Sequence, residues 1–169
     1  SYPIDKNDFS FSAGNNKISF DGVFMAIHGT PGEDGILQAY FDLLNIPYNC
    51  CGSFEASLTF NKGMCNSLLK NFNITSAKAI MINKEEAYDT QAIENNIGLP
   101  CFVKPNRSGS SFGVSKVTAS EQWEQAIKEA FKYDNQVLIE AFIDGIEITC
   151  GLIENEGELI VLPLTEITT

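Results

Sequence analysis

Val23-Phe24-Met25-Ala26-Ile27-His28-Gly29-Thr30-Pro31-Gly32-Glu33-Asp34-Gly35 holds two structural signals in succession. Its first five residues are a continuous apolar run of strand length. Unbroken rather than alternating apolarity predicts a strand covered on both faces, as in a parallel sheet. The run stops at a loop containing Gly29, Gly32 and Gly35, and Ile36, Leu37, Tyr40, Leu43 and Leu44 then share one face of a predicted helix. Ile46-Pro47-Tyr48 opens the next short strand. Strand, Gly-rich loop, helix and strand in that order form half of a doubly wound α/β domain. Upstream, residues 5–20 are polar and rich in Asn, Ser and Phe, and read as a loop or short hairpin.

Downstream the pattern changes near residue 60, which divides the chain into expected domains over 1–58 and 59–169. Lys62 to Leu69 predicts a short helix, Lys78 to Ile82 a strand and Lys84 to Glu94 a helix. Pro100 to Lys104 predicts another strand, followed by a loop to Gly113. Thr118-Ala-Ser-Glu121 fits a capping box, opening a helix with Trp123, Ile127, Ala130 and Phe131 at helical spacing. Val137 to Glu140 and Ile146 to Ile153 read as strands. The second joins Leu159 to Leu164 through Glu154-Asn155-Glu156-Gly157, a hairpin signal. This second region is α+β with an antiparallel sheet.

The 169 residues are 44% apolar and 20% charged, enough for a real core in one ordinary domain or two small ones. A formal net charge of −11 repels phosphate backbones, so nucleic acid is not an expected partner. No apolar run approaches the ~20 residues of a membrane helix, and the start lacks a signal-peptide layout. The absence of an initiator Met indicates a start inside a longer protein. Cys50, Cys51, Cys65, Cys101 and Cys150 are odd in number and lack C-x-x-C spacing, against a disulfide framework or zinc site. Most lie in apolar strand-like runs, where a free Cys behaves as a small hydrophobe. A reducing cytoplasm is the simplest setting.

The chemistry concentrates in Lys104-Pro-Asn-Arg-Ser-Gly109-Ser110-Ser111-Phe-Gly113. Glycines let backbone N–H groups turn toward an anion, serines add donors, and Lys104 and Arg107 supply charge in an acidic chain. The segment reads either as a mobile flap over nucleotide phosphates or as a solvent-exposed Gly/Ser loop; it is not a Walker loop. Glu140 and Glu147 bracket a break at Asp144-Gly145, and are either nucleotide-facing carboxylates or solvated ones. His28, the single histidine, ends a predicted buried strand, where open α/β sheets place ligands, though a lone His is often structural. The helix entered from its loop has an anion-attracting N-terminus. Glu33 and Asp34 stand at that helix start, and dipole complementation is the favoured role for Asp34. Lys62 in a first helical turn opposes the helix dipole, which marks it as a ligand candidate beside the plainer surface-lysine alternative.

Together these segments resemble the D-alanine–D-alanine ligase family of ATP-grasp enzymes. His28 to Gly35, then Gln38 and Ile46-Pro47-Tyr48, is similar to that family's first signature. Pro100 to Lys116 resembles its phosphate-loop segment, and Leu138-Ile139-Glu140 through Gly145-x-Glu147 its nucleotide hinge. The fold implied is a partial doubly wound (pre-ATP-grasp) N-terminal domain followed by the N-terminal subdomain of an ATP-grasp fold. The resemblance implies that Lys62 and Lys104 contact ATP phosphates and that Ser110 and Ser111 lie in the loop closing over them and the first D-alanine. It implies that Glu140, with backbone at Ala141 and Ile143, holds adenine, and that Glu147 holds ribose. His28 lines the first D-alanine site with Glu33 beside it, and His28 and Ser110 are the catalytic candidates. ATP, D-alanine and Mg2+ are the implied ligands, and a homodimer the implied assembly.

Two departures stand out. Ser108 replaces the acidic residue usual before the loop glycine, and Asn49-Cys50-Cys51-Gly52 replaces the usual Thr or Ser then Gly. Neither touches the lysines, so nucleotide binding is still expected. The family's Gly-Gly strand and substrate-orienting glutamate are expected before Ser1. Its lid tyrosine and magnesium-binding Arg-x-Asp and Glu-x-Asn elements are expected after Thr169, so no metal ligand is expected here.

Overall fold

The computed structural model describes residues 2–168; Ser1 and Thr169, the outer ends of the two expected domains, lie outside them. Residues 5–20 do form a hairpin, β1 (Phe11–Ala13) and β2 (Asn16–Ile18), with Phe11 opposite Ile18. Its aromatic residues fix it to α1 (Ile36–Leu44), the buried Phe41 meeting Phe9 edge-on at 4.9 Å between ring centroids. α2 (Ser53–Phe60) and α3 (Lys62–Asn71) follow almost without a break, so the 58/59 divide falls in the last turn of α2.

Val23 to Ile27 departs from expectation. Among the described residues its one ladder contact is a parallel bridge from Val23 to Tyr48, and Phe24 is 82% exposed. A strand inside a parallel sheet needs a hydrogen-bonded neighbour on each edge, and the described residues supply a single bridge on one. The parallel sense of the pattern survives, while the sheet does not form among the described residues.

The second region closes a four-stranded antiparallel sheet of β3 (Ala79–Asn83), β4 (Cys101–Pro105), β5 (Ser115–Val117) and β6 (Gln136–Ala141), in the order β3-β6-β4-β5. Between them lie α4 (Thr90–Ile97) and, after a 3-10 turn at Ser120–Gln122, α5 (Trp123–Ala130). Lys84 to Asp89 is not helical: the Asp89 carboxylate accepts from the N–H groups of Gln91 and Ala92 and starts α4 there. The expected capping box is also displaced by one residue, for Gln122 rather than Glu121 reaches back to the Thr118 and Ala119 N–H groups.

Alternation along β4 and β6 separates two faces. Cys101, Val103, Val137 and Ile139 are all 0% exposed and pack with Trp123 and Ile127 of α5 and Ile93 of α4 in the core. Lys104 and Glu140 fall on the other face, on the side where Asn66 of α3 bonds Glu140. Beyond β6 come β7 (Ile148–Thr149), the hairpin β8 (Leu152–Asn155) and β9 (Glu158–Val161), and β10 (Thr165–Glu166). Glu156 and Gly157 turn the hairpin with φ of 53° and 82°. Of the five free cysteines only Cys101 is buried, contrary to the expectation that most fill apolar runs; Cys50, Cys51 and Cys150 are exposed because their segments gain no cover in this chain. Burial pushes the Cys101 thiol up to about 11. No helix among the described residues is long and apolar enough to cross a membrane.

Candidate functional site

The His28 loop is held from below. Gly32 and Glu33 N–H groups both donate to the Gly29 carbonyl at 2.9 Å, and the buried Gln38 amide donates to the Gly32 carbonyl at 2.8 Å. Glu33 folds back, one oxygen accepting from the Gly29 N–H at 2.5 Å and the other lying 3.6 Å from His28 Nδ1. His28 itself is 85% exposed, not at the end of a buried strand. Asp34, one position before the N-cap Gly35 of α1, accepts from the Ile36 N–H at 3.2 Å and from the Thr30 hydroxyl.

The loop after β4 comes to meet this segment. A Cβ added to Gly109 stands 2.9 Å from a Glu33 carboxylate oxygen and 3.4 Å from the Gly29 nitrogen, so glycine is what permits the approach. Ser110 and Ser111 both take left-handed backbone conformations, φ 48° and 58°. Non-glycine residues there carry strain of order 1 kcal/mol, which gathers at ligand clamps. Gly113 is left-handed as well (φ 73°), and a side chain on it meets the Tyr133 ring at 2.6 Å. Between loop and segment lies a cleft of about 690 Å3 lined by His28, Gly29, Ser108, Gly109, Ser110 and Tyr133 among others. Neither Lys62 nor Lys104 lines it; Lys62 reaches its edge by donating to the Ser108 carbonyl at 2.7 Å.

Lys62 opens α3, capped by the Asn61 side chain on the Met64 N–H. Its half-buried ammonium is pulled below the usual lysine range, chiefly by burial and further by the positive charge of Lys104. Lys104 pairs with Glu140, which also accepts from the Asn66 amide at 2.9 Å. On β4 and β6 the two are diagonal neighbours, Phe102 opposite Glu140 and Lys104 opposite Leu138, within reach of long side chains.

Arg107 does not offer its charge to the loop. Its guanidinium holds both oxygens of Asp134, at 3.1 and 2.7 Å, and its backbone N–H donates to the same carboxylate at 2.7 Å. Burial alone raises the Asp134 pKa, but the Arg107 hydrogen bonds outweigh it and hold the carboxyl below its usual range. Arg107 is therefore an anchor at the flap base.

The remaining candidates stand apart. The Ala141 N–H is committed to the Lys78 carbonyl at 2.9 Å. Ile143 is 67% exposed, and no hydrogen bond or ion pair joins the Glu147 side chain to another candidate among the described residues. No group of three or more His, Cys, Asp or Glu among the described residues is placed to hold a metal ion. Asn66, Asn106, Tyr133 and Asp134 escaped the sequence reading. Asn66 meets Glu140, Asn106 meets Asn61, Gly63 and Gln136, and Asp134 meets Arg107 across 27 to 74 residues, a separation no local spacing signals.

Comparisons with known proteins agree along the whole chain. Residues 68–169 match the model described as D-ala D-ala ligase C-terminus, and residues 3–51 match D-ala D-ala ligase N-terminus. A D-alanine–D-alanine ligase of Flavobacterium johnsoniae is 49% identical over 99% of this chain and 52% of its own length. That of Azobacteroides pseudotrichonymphae is 51% identical over 98% and 52%. The chain thus spans about half the length of the curated relatives it matches. Among solved structures, D-alanyl-alanine synthetase A of Vibrio cholerae superposes with a TM-score of 0.89 at 28% identity, covering 99% of this chain and 52% of the other. The VanG D-Ala:D-Ser ligase of Enterococcus faecalis gives 0.82 at 35% identity over 96% and 47%.

Proposed function

This chain belongs to the D-alanine–D-alanine ligase family, and on that premise we propose that its whole protein joins two D-alanines with ATP for peptidoglycan synthesis in the cytoplasm. The observation that carries this reading is the flap from Ser108 to Gly113 meeting the His28–Glu33 segment across one cleft, with Lys62 at its edge. The proposed division of labour follows the resemblance. Residues 1–58 belong to the substrate domain and 59–169 to the nucleotide-binding subdomain. Lys62, Lys104, Ser110 and Ser111 act on the phosphates, while Glu140, Glu147 and the backbone of Ala141 and Ile143 hold the nucleoside. His28 and Glu33 face the first D-alanine.

In the first step a carboxylate oxygen of D-alanine attacks the γ-phosphorus, and the bond to the β-γ bridging oxygen breaks, releasing ADP. In the second, the amine of another D-alanine attacks the acyl carbon, a C–N bond forms, the C–O bond to phosphate breaks, and phosphate and a proton leave. Phosphoryl transfer asks mainly for positioning and charge neutralisation, which two lysines and a donor-rich loop supply. Loop closure keeps water from the acyl phosphate. Among the described residues no three or more His, Cys, Asp or Glu side chains gather to hold a metal ion, and no step here runs through magnesium.

A second reading, favoured by likeness to the D-Ala:D-Ser ligase, is a different second substrate. Phosphate release and product mass measured with D-alanine alone, then with D-serine or D-lactate added, separate the two. D-alanyl-D-alanine as main product supports the first reading; a mixed product supports the second, and no D-alanine-dependent phosphate release contradicts both. Light scattering tests the homodimer that the resemblance implies.

A further inference from the structure

We infer that Asn106, to which no role was given within the Lys104–Gly113 stretch, is a positioning residue that fixes the Lys62 end of α3 against the base of the flap. The inference rests on the nucleotide-binding reading of Lys62. Asn106 is 0% exposed, and its side-chain amide is fully used. Its Nδ2 donates to Asn61 Oδ1 at 2.9 Å and to Gln136 Oε1 at 3.0 Å, and its Oδ1 accepts from the Gly63 N–H at 2.8 Å. Its backbone is used as well: the N–H donates to the Gln136 carbonyl at 2.9 Å, and the carbonyl accepts from the Lys62 N–H at 3.2 Å and from Lys62 Nζ at 3.4 Å.

Asn61 and Gly63, the neighbours of Lys62 on either side, are therefore both tied to one side chain. Lys62 itself is tied to the same residue's carbonyl. Gln136 extends the line, donating to Asn83 Oδ1 at 3.0 Å, so a ladder of amides runs from the start of α3 under the flap to β6 and β3. Only a side chain with both donors and an acceptor satisfies this position: Asp lacks the donors, and an aliphatic residue strands the Gly63 N–H. The consequence is mechanical. When a phosphate arrives, the Lys62 ammonium has to leave the Ser108 carbonyl, while its Cα stays pinned. The lysine then swings as a side chain rather than dragging its helix, and little ordering remains to be done on binding. The ammonium's depressed pKa fits a poorly solvated group that gains from meeting an anion.

The test is a double-mutant cycle in the whole protein, comparing the parent with Asn106→Ala, Lys62→Met and the double variant. The readouts are the Kd of a non-hydrolysable ATP analogue and the separate kcat and KM values for ATP and D-alanine. Asn106→Ala is expected to weaken analogue binding and raise KM for ATP about tenfold, leaving KM for D-alanine and kcat at saturating ATP within about twofold. The double variant is expected to bind no more weakly than Lys62→Met. A fall in kcat with KM for ATP unchanged, or effects that add in the double variant, overturns the proposal. Should Asn106→Ala not fold, Asn106→Ser is read by the same criteria on a smaller scale, since its hydroxyl keeps one polar group at the buried position. A parent that binds no nucleotide overturns the functional reading and this proposal together. A parent that binds, with Asn106→Ala and Asn106→Ser both indistinguishable from it, overturns this proposal alone.

Discussion

At the scale of single residues, two cations flank the flap and each is held by a carboxylate, Lys104 by Glu140 and Arg107 by Asp134. Lys104 was legible because it closes an apolar strand and precedes a Gly/Ser loop. That it rests on Glu140 was not, because the pairing of β4 with β6 creates that contact between residues far apart in the chain. Arg107 shows the opposite failure: its place in the loop suggested an anion ligand, whereas Asp134 already holds its guanidinium. With Arg107 so engaged, the proposed mechanism asks Lys104, once released from Glu140, to carry more of the neutralising charge. A donor worth ~3 kcal/mol in the transition state changes rate by roughly a hundredfold. Lys104→Ala in the whole protein is expected to lower ATP-dependent turnover by at least about that factor, measured as D-alanine-dependent phosphate release at saturating ATP. Turnover within a few-fold of the parent contradicts the role given to Lys104.

At the scale of elements, a short apolar run was a dependable guide to a strand where the chain supplies the covering layer. Cys101 and Val103 of β4 and Val137 and Ile139 of β6 are buried with residues of α4 and α5. Val23 to Ile27 has the same apolar signature yet stays largely unpaired, because a strand's burial depends on neighbours that its own sequence does not contain. The flap was legible as a loop, but its fixed base was not. Arg107 and Asp134 tie that base to the turn before β6, with the Asp134 side chain 4% exposed and that of Arg107 45%. The Asp134 carboxyl is depressed in the folded state, so its contribution is fully present above the unfolded carboxylate value of ~3.9 and disappears as pH falls through the lower folded value. Discounted for the half-exposed partner, Asp134→Asn is expected to cost about 1 kcal/mol at pH 7, a fall of about 2–4 °C in Tm. Thermal melts from pH 7 to pH 2 test this: the gap between variant and parent should narrow below about pH 4. A gap that stays constant across that range removes the ion pair from the account.

At the scale of the molecule, two halves of unlike architecture meet where Gly109 approaches Glu33 and Gly29, while Lys62 holds the base of the same flap at Ser108. The first contact places a loop of the second region on the first, and it does not depend on a continuous sheet. That juxtaposition is the central claim: one flap serves nucleotide phosphates on one side and a small amino-acid carboxylate on the other. The most direct measurement is a crystal structure of the whole protein with a non-hydrolysable ATP analogue and D-alanine. The account predicts the triphosphate between Lys62 and Lys104 under Ser110 and Ser111, with the Lys104–Glu140 pair rearranged around the nucleotide and D-alanine beside His28. A nucleotide bound elsewhere, with the flap turned away from it and Lys104 still on Glu140, would contradict it.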